Sequence, residues 1–226
     1  MSRKEHIMRS WIPVAAALPI LLAGCSSSAP DAAHVSSAAP SHAATQLAAA
    51  PRASNASLAH FRSSAFGFRL DYPKGMLEQR SFTGGYISND AWKAYASPDS
   101  KGTPVVALIL PGSDDVSRAA LRIGASRDPQ SVNDCLKAPS TARGASGTRS
   151  IHGARFTYFE AGDAAMNHYM HTHSYRLVHD GACIAIDLMV TGTNPQVYDP
   201  PRKPPFTQDD AFARLQQALR GFHFTL

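Results

Sequence analysis

The sequence predicts an α+β domain in which an antiparallel β-sheet carries a C-terminal helix packed on it. Two observations predict this class. Between residues 58 and 200, short segments that are apolar, or that alternate apolar and polar residues, are separated by turn residues, which is typical of strands joined by hairpins. After residue 207, apolar residues recur with the spacing of an amphipathic helix. Such a helix buries its apolar stripe against the apolar face of a sheet.

Several strands precede the most distinct unit of the sheet. The segments predicted as strands are 65–73, 91–96, 103–110, 119–126 and 155–160. The distinct unit is a hairpin from Met166 to Val190, because Asp180-Gly181 supplies residues that tolerate the positive φ angles of a tight turn. Asp187 lies inside the apolar second arm and is expected on its exposed face, the alternative being a buried functional carboxylate. Residues 141–150 have the composition of a loop.

Two helices are predicted from their starting residues. Asp128-Pro129 places an N-cap residue before proline at the first helical position. Thr207 followed by Asp210 resembles a capping box in which aspartate replaces the usual glutamate. Gly221 ends this second helix, and a short last strand is expected at 222–224.

The N-terminus resembles the leader of a bacterial lipoprotein. Three cations are followed by an apolar run at 11–23 and by Leu22-Ala23-Gly24-Cys25, which is similar to a lipobox. The resemblance implies a signal peptide at 1–24, cleavage before Cys25, and acylation of Cys25 with palmitate and related chains. Ser26 follows where aspartate would favour the inner membrane, so the resemblance implies an outer-membrane anchor that faces the periplasm. The alternatives are a signal peptide without lipidation and a transmembrane anchor, for which the apolar run is short.

A low-complexity segment follows the leader. From Ser26 to Ser57, 23 of 32 residues are Ala, Ser or Pro. Such a composition buries too little apolar surface to offset the loss of chain entropy, so residues 25–57 are predicted to be a disordered linker after the lipidated cysteine. Residues 58–226 are then a single globular domain.

Cysteine usage and charge limit the remaining possibilities. With Cys25 acylated, Cys135 and Cys183 remain, and in an oxidising compartment they are expected to form a disulfide, the alternative being two buried free thiols. Removal of residues 1–24 lowers the formal net charge from +5 to +3. This mild excess does not predict nucleic-acid binding, which requires a clustered basic surface.

Two segments at the ends of the predicted domain resemble the PsbP/Mog1-like superfamily. They are 66–75 (FGFRLDYPKG) and 219–224 (LRGFHF). The resemblance implies an α/β/α sandwich around an antiparallel sheet. The superfamily includes photosystem accessory proteins, a GTPase-binding protein and bacterial lipoproteins, so it implies binding rather than catalysis. The matched positions are structural, and no functional residue is transferred.

Two groups of side chains are candidate sites. His171 and His173 are two residues apart and share one face of a strand, whereas His168 faces the other way. His171 and His173 could bind zinc or copper with a third ligand from elsewhere, which could be His168 or Met170 after a local bulge; the alternative is a polar, solvent-facing strand. In the proline-rich loop 199–206, Arg202 and Lys203 could bind a partner, or the loop could be a rigid connector.

The function predicted from these observations is a membrane-anchored periplasmic lipoprotein with a non-catalytic binding or accessory domain. Its partners would be the bilayer, through Cys25, and an envelope protein. No cofactor is predicted apart from the possible zinc or copper. The alternatives are a transition-metal-binding protein and an envelope hydrolase. For a hydrolase, Gly144-Ala145-Ser146-Gly147 lacks the spacing of a nucleophile elbow.

Overall fold

The structure is a computed structural model that describes residues 57–82 and 91–225. The predicted signal peptide, Cys25 and the predicted linker up to residue 56 therefore lie outside the described residues. Within the described residues, no helix is long and apolar enough to cross a bilayer.

In chain order, the strands are β1 (Leu58–Ser63), β2 (Phe68–Pro73), β3 (Leu77–Gln79), β4 (Thr103–Ile109), β5 (Ser117–Ser126), β6 (Ala142–Ile151), β7 (Ala154–Ala165), β8 (His168–His179), β9 (Ala182–Thr193) and β10 (Phe222–Phe224). The helices are α1 (Pro129–Asn133) and α2 (Gln208–Leu219).

The strands form two antiparallel sheets, which confirms the predicted α+β class. The larger sheet has the order β3-β4-β5-β9-β8-β7-β6, and the smaller one has the order β1-β2-β10. In the larger sheet, β6 to β9 follow one another as a meander. The turn at Asp180-Gly181 has the positive φ angles that were predicted, 47° and 69°. A second turn, with positive φ at Met166 and Asn167, makes β8 begin at His168 rather than at Met166.

Helix α2 closes the main core, as predicted. The Thr207 hydroxyl accepts a hydrogen bond from the Asp210 backbone N–H at 3.1 Å, so the helix begins with the expected cap. Its buried side chains, among them Phe212 and Leu215, pack with the apolar residues of β2, β5 and β9. This places α2 over one face of the larger sheet.

The opposite face of the larger sheet is covered by α1 and by residues 91–102, which we call the covering loop. Its Trp92 is buried against Cys135, Cys183 and Ala185. Gly124 of β5 permits this contact, because a Cβ atom there would lie 1.7 Å from the Trp92 carbonyl oxygen. The structure joins Cys135 to Cys183 in a disulfide with a Cα–Cα distance of 5.6 Å, as predicted, and not as two free thiols.

Three predicted elements need correction. Residues 91–96 are not a strand but part of the covering loop, whose apolar residues pack on the sheet instead of joining it. Residues 141–150 are not a loop, because 142–151 form β6, which pairs with β7. As the outermost strand, β6 is exposed along nearly its whole length, so it lacks the apolar alternation of a half-buried strand. Finally, the first predicted strand, 65–73, begins too early, because residues 64–67 form a turn and only 68–73 are the strand β2. The strand β1, which precedes this turn and pairs with β2, was not predicted.

Candidate binding groove

A groove runs along α2, between this helix and strands β6 to β8. It consists of two adjoining pockets that share Glu160 and His173 in their walls. The N-terminal pocket lies beside Gln208 and Phe212 and has a volume of about 460 Å³. The C-terminal pocket lies beside Gln216 and has a volume of about 720 Å³. Both are within the size range of small-molecule sites, roughly 300 to 1,000 Å³.

The wall of the groove on the sheet side follows from the register of β7 and β8. In this antiparallel pair, Tyr158 lies opposite Tyr175, and Glu160 lies opposite His173. Residues two apart on a strand share a face, so all four side chains project towards α2. The two tyrosine rings have centroids 5.1 Å apart and are almost completely buried, so they form the aromatic floor of the C-terminal pocket.

His173 connects the two pockets. Its ring stacks on Phe212 of α2, with centroids 3.8 Å apart and planes within 5° of parallel. Its Nε2 is 3.9 Å from Glu160 Oε1, and its buried Nδ1 has no hydrogen-bond partner among the residues that the structure describes. Burial lowers the pKa of His173, the nearby Glu160 opposes this, and His171 adds a small further lowering. The imidazole is therefore held in its neutral form at neutral pH.

Tyr158 and Glu160 are bonded to each other. The Tyr158 hydroxyl donates a hydrogen bond to Glu160 Oε1 at 2.6 Å, and the Ala145 backbone N–H approaches Oε2 at 3.4 Å. Burial raises the pKa of Tyr158, and the hydrogen bond to Glu160 acts in the same direction, so Tyr158 remains a phenol. The carboxylate of Glu160 is thereby engaged within the wall of the groove.

Arginines flank the C-terminal pocket. Arg149 of β6 lies over the Tyr158 ring, with the guanidinium carbon 4.7 Å from the ring centroid. Arg220, just after the last turn of α2, lines the same pocket. Within the described part of the chain, neither guanidinium forms an ion pair with a carboxylate. The pocket thus offers an aromatic floor and two cations to a ligand.

The structure brings together two of the three candidate metal ligands. His171 and His173 both line the N-terminal pocket, as their spacing predicted. His168 lies on the other face of β8, where its Nδ1 is 3.0 Å from the Thr193 hydroxyl oxygen. Among residues 57–82 and 91–225, no group of three or more His, Cys, Asp or Glu side chains is placed to hold a metal ion.

The candidate partner residues of the proline-rich loop do not line the groove. Arg202 Nη1 is 2.8 and 2.7 Å from the two carboxylate oxygens of Asp115, and its Nη2 is 3.3 Å from Asp114. Its guanidinium also lies over the Tyr198 ring. These contacts fasten the loop to the turn between β4 and β5, which fits the connector interpretation of the loop. Lys203 is exposed beside it.

The expectation that Asp187 is exposed was wrong. Its side chain is 2% exposed and forms an ion pair at 2.8 Å with Arg176, which is also 2% exposed. Ser174 and the Ala94 backbone N–H donate further hydrogen bonds to its carboxylate. Burial alone would raise the pKa of Asp187, but Arg176 and these two donors outweigh it and hold that pKa below its ordinary value. The covering loop supplies Ala94 and explains the burial.

No protein-family model matches the sequence, and no curated protein matches it. Among solved structures, the solution structure of cyanobacterial PsbP (CyanoP) from Synechocystis sp. PCC 6803 is similar to the chain, with a TM-score of 0.40 and 16% sequence identity over 79% of this chain and 98% of that chain. The function proposed below rests on the residues of this chain.

Proposed function

We propose that the protein is an envelope lipoprotein, anchored in the outer membrane through acylated Cys25 and facing the periplasm, whose folded domain binds an envelope partner without catalysing a reaction. The lipobox-like residues 22–25 support the anchor, and the Ala/Ser/Pro-rich residues 26–57 are suited to tether a domain at some distance from a bilayer. Labelling with radioactive palmitate should be lost in Cys25→Ser, and persistence of the label would contradict the anchor.

The groove is the observation that carries the binding function. Its two pockets are open, adjoin each other, and combine buried aromatic rings with a few polar and charged groups, the composition typical of binding sites. Glu160 and Tyr158 are bonded to each other, and His173 is held between Phe212 and its neighbours. These side chains are therefore positioned as parts of a rigid wall, which favours recognition of a partner with little loss of side-chain entropy on binding.

A chemical-crosslinking capture from intact envelopes tests this function. We expect a reproducible partner with the unmodified chain and loss of that partner with Gln216→Trp, which fills the C-terminal pocket. Gln217→Trp is the matched control, because Gln217 is also exposed but lies about 100° further around α2. Capture of no reproducible partner, or equal capture with both tryptophan variants, would contradict the proposed function.

A second candidate is transition-metal binding at the N-terminal pocket. His171 and His173 both line this pocket, and imidazole groups suit zinc or copper, with the third ligand required from elsewhere. Calorimetric titration of Zn²⁺ and Cu²⁺ into the protein and into a His171→Ala/His173→Ala variant tests it. Micromolar binding that the variant loses would favour metal handling, whereas the absence of heat in both proteins would eliminate this candidate.

A further inference from the structure

We propose that the C-terminal pocket of the groove binds a carboxylate side chain of an extended, acidic peptide segment that belongs to the partner. This inference rests on the proposed function and adds the chemistry of the ligand. It depends on three features of the described residues, namely the charge at the rim of the pocket, the surface of its floor and the length of the groove.

The charge at the rim favours an anion. Arg149 and Arg220 line the C-terminal pocket, and among the described residues neither is paired with a carboxylate. The acidic side chain in the same pocket, Glu160, accepts hydrogen bonds from Tyr158 and Ala145 within the wall. By contrast, Arg214 on the other side of α2 is paired with Asp210 at 3.4 Å. Arg149 Nη1 donates a hydrogen bond to the Thr148 carbonyl at 3.3 Å, but no carboxylate of the described residues neutralises either arginine. The rim therefore carries cationic hydrogen-bond donors that can bind a carboxylate.

The floor favours a peptide over a small inorganic anion. Tyr158, Tyr175 and Leu219 are buried beneath the pocket and present apolar surface next to the two arginines. In an extended peptide, successive side chains point in opposite directions. One residue can then place an apolar side chain on the tyrosine rings while a neighbouring residue reaches the rim with its carboxylate.

The length of the groove sets the length of the segment. The groove runs from Gln208 to Arg220, along the 12 residues of α2. At 1.5 Å per residue, this is roughly 18 Å. An extended chain advances about 3.3 Å per residue, so about five or six residues fill the groove.

A bead-displayed library of random hexapeptides tests the inference. The probe protein is the full chain, purified in mild detergent from an envelope fraction. We expect the recovered peptides to be enriched in Asp or Glu at one position. For a recovered peptide, Arg149→Gln and Arg220→Gln should each weaken binding about fivefold, with weaker binding at higher salt. Arg214→Gln removes the same charge from the far side of α2 and should leave the affinity unchanged.

Other results would overturn the inference. Recovery of no peptides, or of peptides without an acidic preference, would contradict the acidic ligand. If Gln216→Trp still abolished capture of the envelope partner in that case, the proposed binding function would stand without an acidic ligand. Binding to phosphatidylglycerol vesicles that both arginine changes abolish, without any peptide preference, would assign the two cations to a membrane surface instead. Unchanged melting temperatures of the arginine variants would show that any loss of binding is not a loss of folding.

Discussion

The ion pair between Arg176 and Asp187 should be the polar contact on which the fold depends most. The Asp187 carboxylate is buried and accepts hydrogen bonds from Arg176 at 2.8 Å, from Ser174 at 2.6 Å and from the Ala94 backbone at 2.8 Å. Asp187→Asn keeps an oxygen acceptor but removes the charge, which leaves the Arg176 guanidinium buried without its counter-ion. Breaking a buried pair in this way costs about 3 to 5 kcal/mol of unfolding free energy.

Urea unfolding at pH 7 with the disulfide intact measures this loss. The double variant Arg176→Met/Asp187→Asn should be more stable than Asp187→Asn alone, because it no longer buries an unpaired charge. Since the native environment holds the pKa of Asp187 below its ordinary value, the carboxylate stabilises the fold above pH about 4, and this contribution disappears as the pH falls through the native pKa. The difference between the native chain and Asp187→Asn should therefore narrow in acid.

The control for this prediction is Asp115→Asn, which breaks the exposed pair with Arg202. Its unfolding midpoint should be close to that of the native chain, because solvent screens exposed ion pairs. The reasoning is refuted if Asp187→Asn lowers the unfolding free energy by less than about 1 kcal/mol. It is also refuted if the double variant loses as much unfolding free energy as the single variants Arg176→Met and Asp187→Asn lose together.

Three further predictions concern other parts of the structure. Cys135→Ala/Cys183→Ala should lower the unfolding free energy by about 4 kcal/mol in the chain-entropy model, given their separation of 48 residues; equal denaturation midpoints with and without the disulfide would contradict this. Burial lowers the pKa of His173, so its ring should titrate below about 6.5 in an NMR pH series, and Phe212→Ala should raise this titration midpoint. The contribution of the neutral ring to stability should be lost as the pH falls through the same range. A midpoint at or above the ordinary value in the native chain would contradict this prediction. Gly124→Ala should displace the covering loop and destabilise the fold by about 1 to 3 kcal/mol, and hydrogen exchange of that loop would detect the change; unaltered protection would count against the close approach.

The features that the sequence predicted correctly are those determined by neighbouring residues or by simple counting. The Asp180-Gly181 turn, the cap at Thr207 and the start of α1 after Asp128 each depend on a few adjacent positions. The disulfide followed from an even number of remaining cysteines in an oxidising compartment. The class of the fold followed from the same local patterns, because alternating strands and one amphipathic helix have few ways to bury their apolar faces.

The features that were missed depend on contacts between distant residues. The burial of Asp187 requires Ala94, which is 93 residues away in the chain. The strand β6 could not be recognised because, at the edge of the sheet, its side chains face solvent and need no apolar alternation. The groove was also missed, because it depends on how α2 lies against β7 and β8, which are distant from it in the sequence. Its one signal in the sequence was the spacing of His171 and His173, which placed them correctly on one face.

The central claim is that the groove, and no other surface of α2, contacts an envelope partner. The most direct test is a photoreactive benzoylphenylalanine placed at Gln216, which lines the C-terminal pocket, or at the adjacent exposed Gln217. In living cells, irradiation should give a discrete crosslinked species from position 216 and little or none from position 217. Crosslinks of equal yield from both positions, or no crosslink from position 216, would contradict the account.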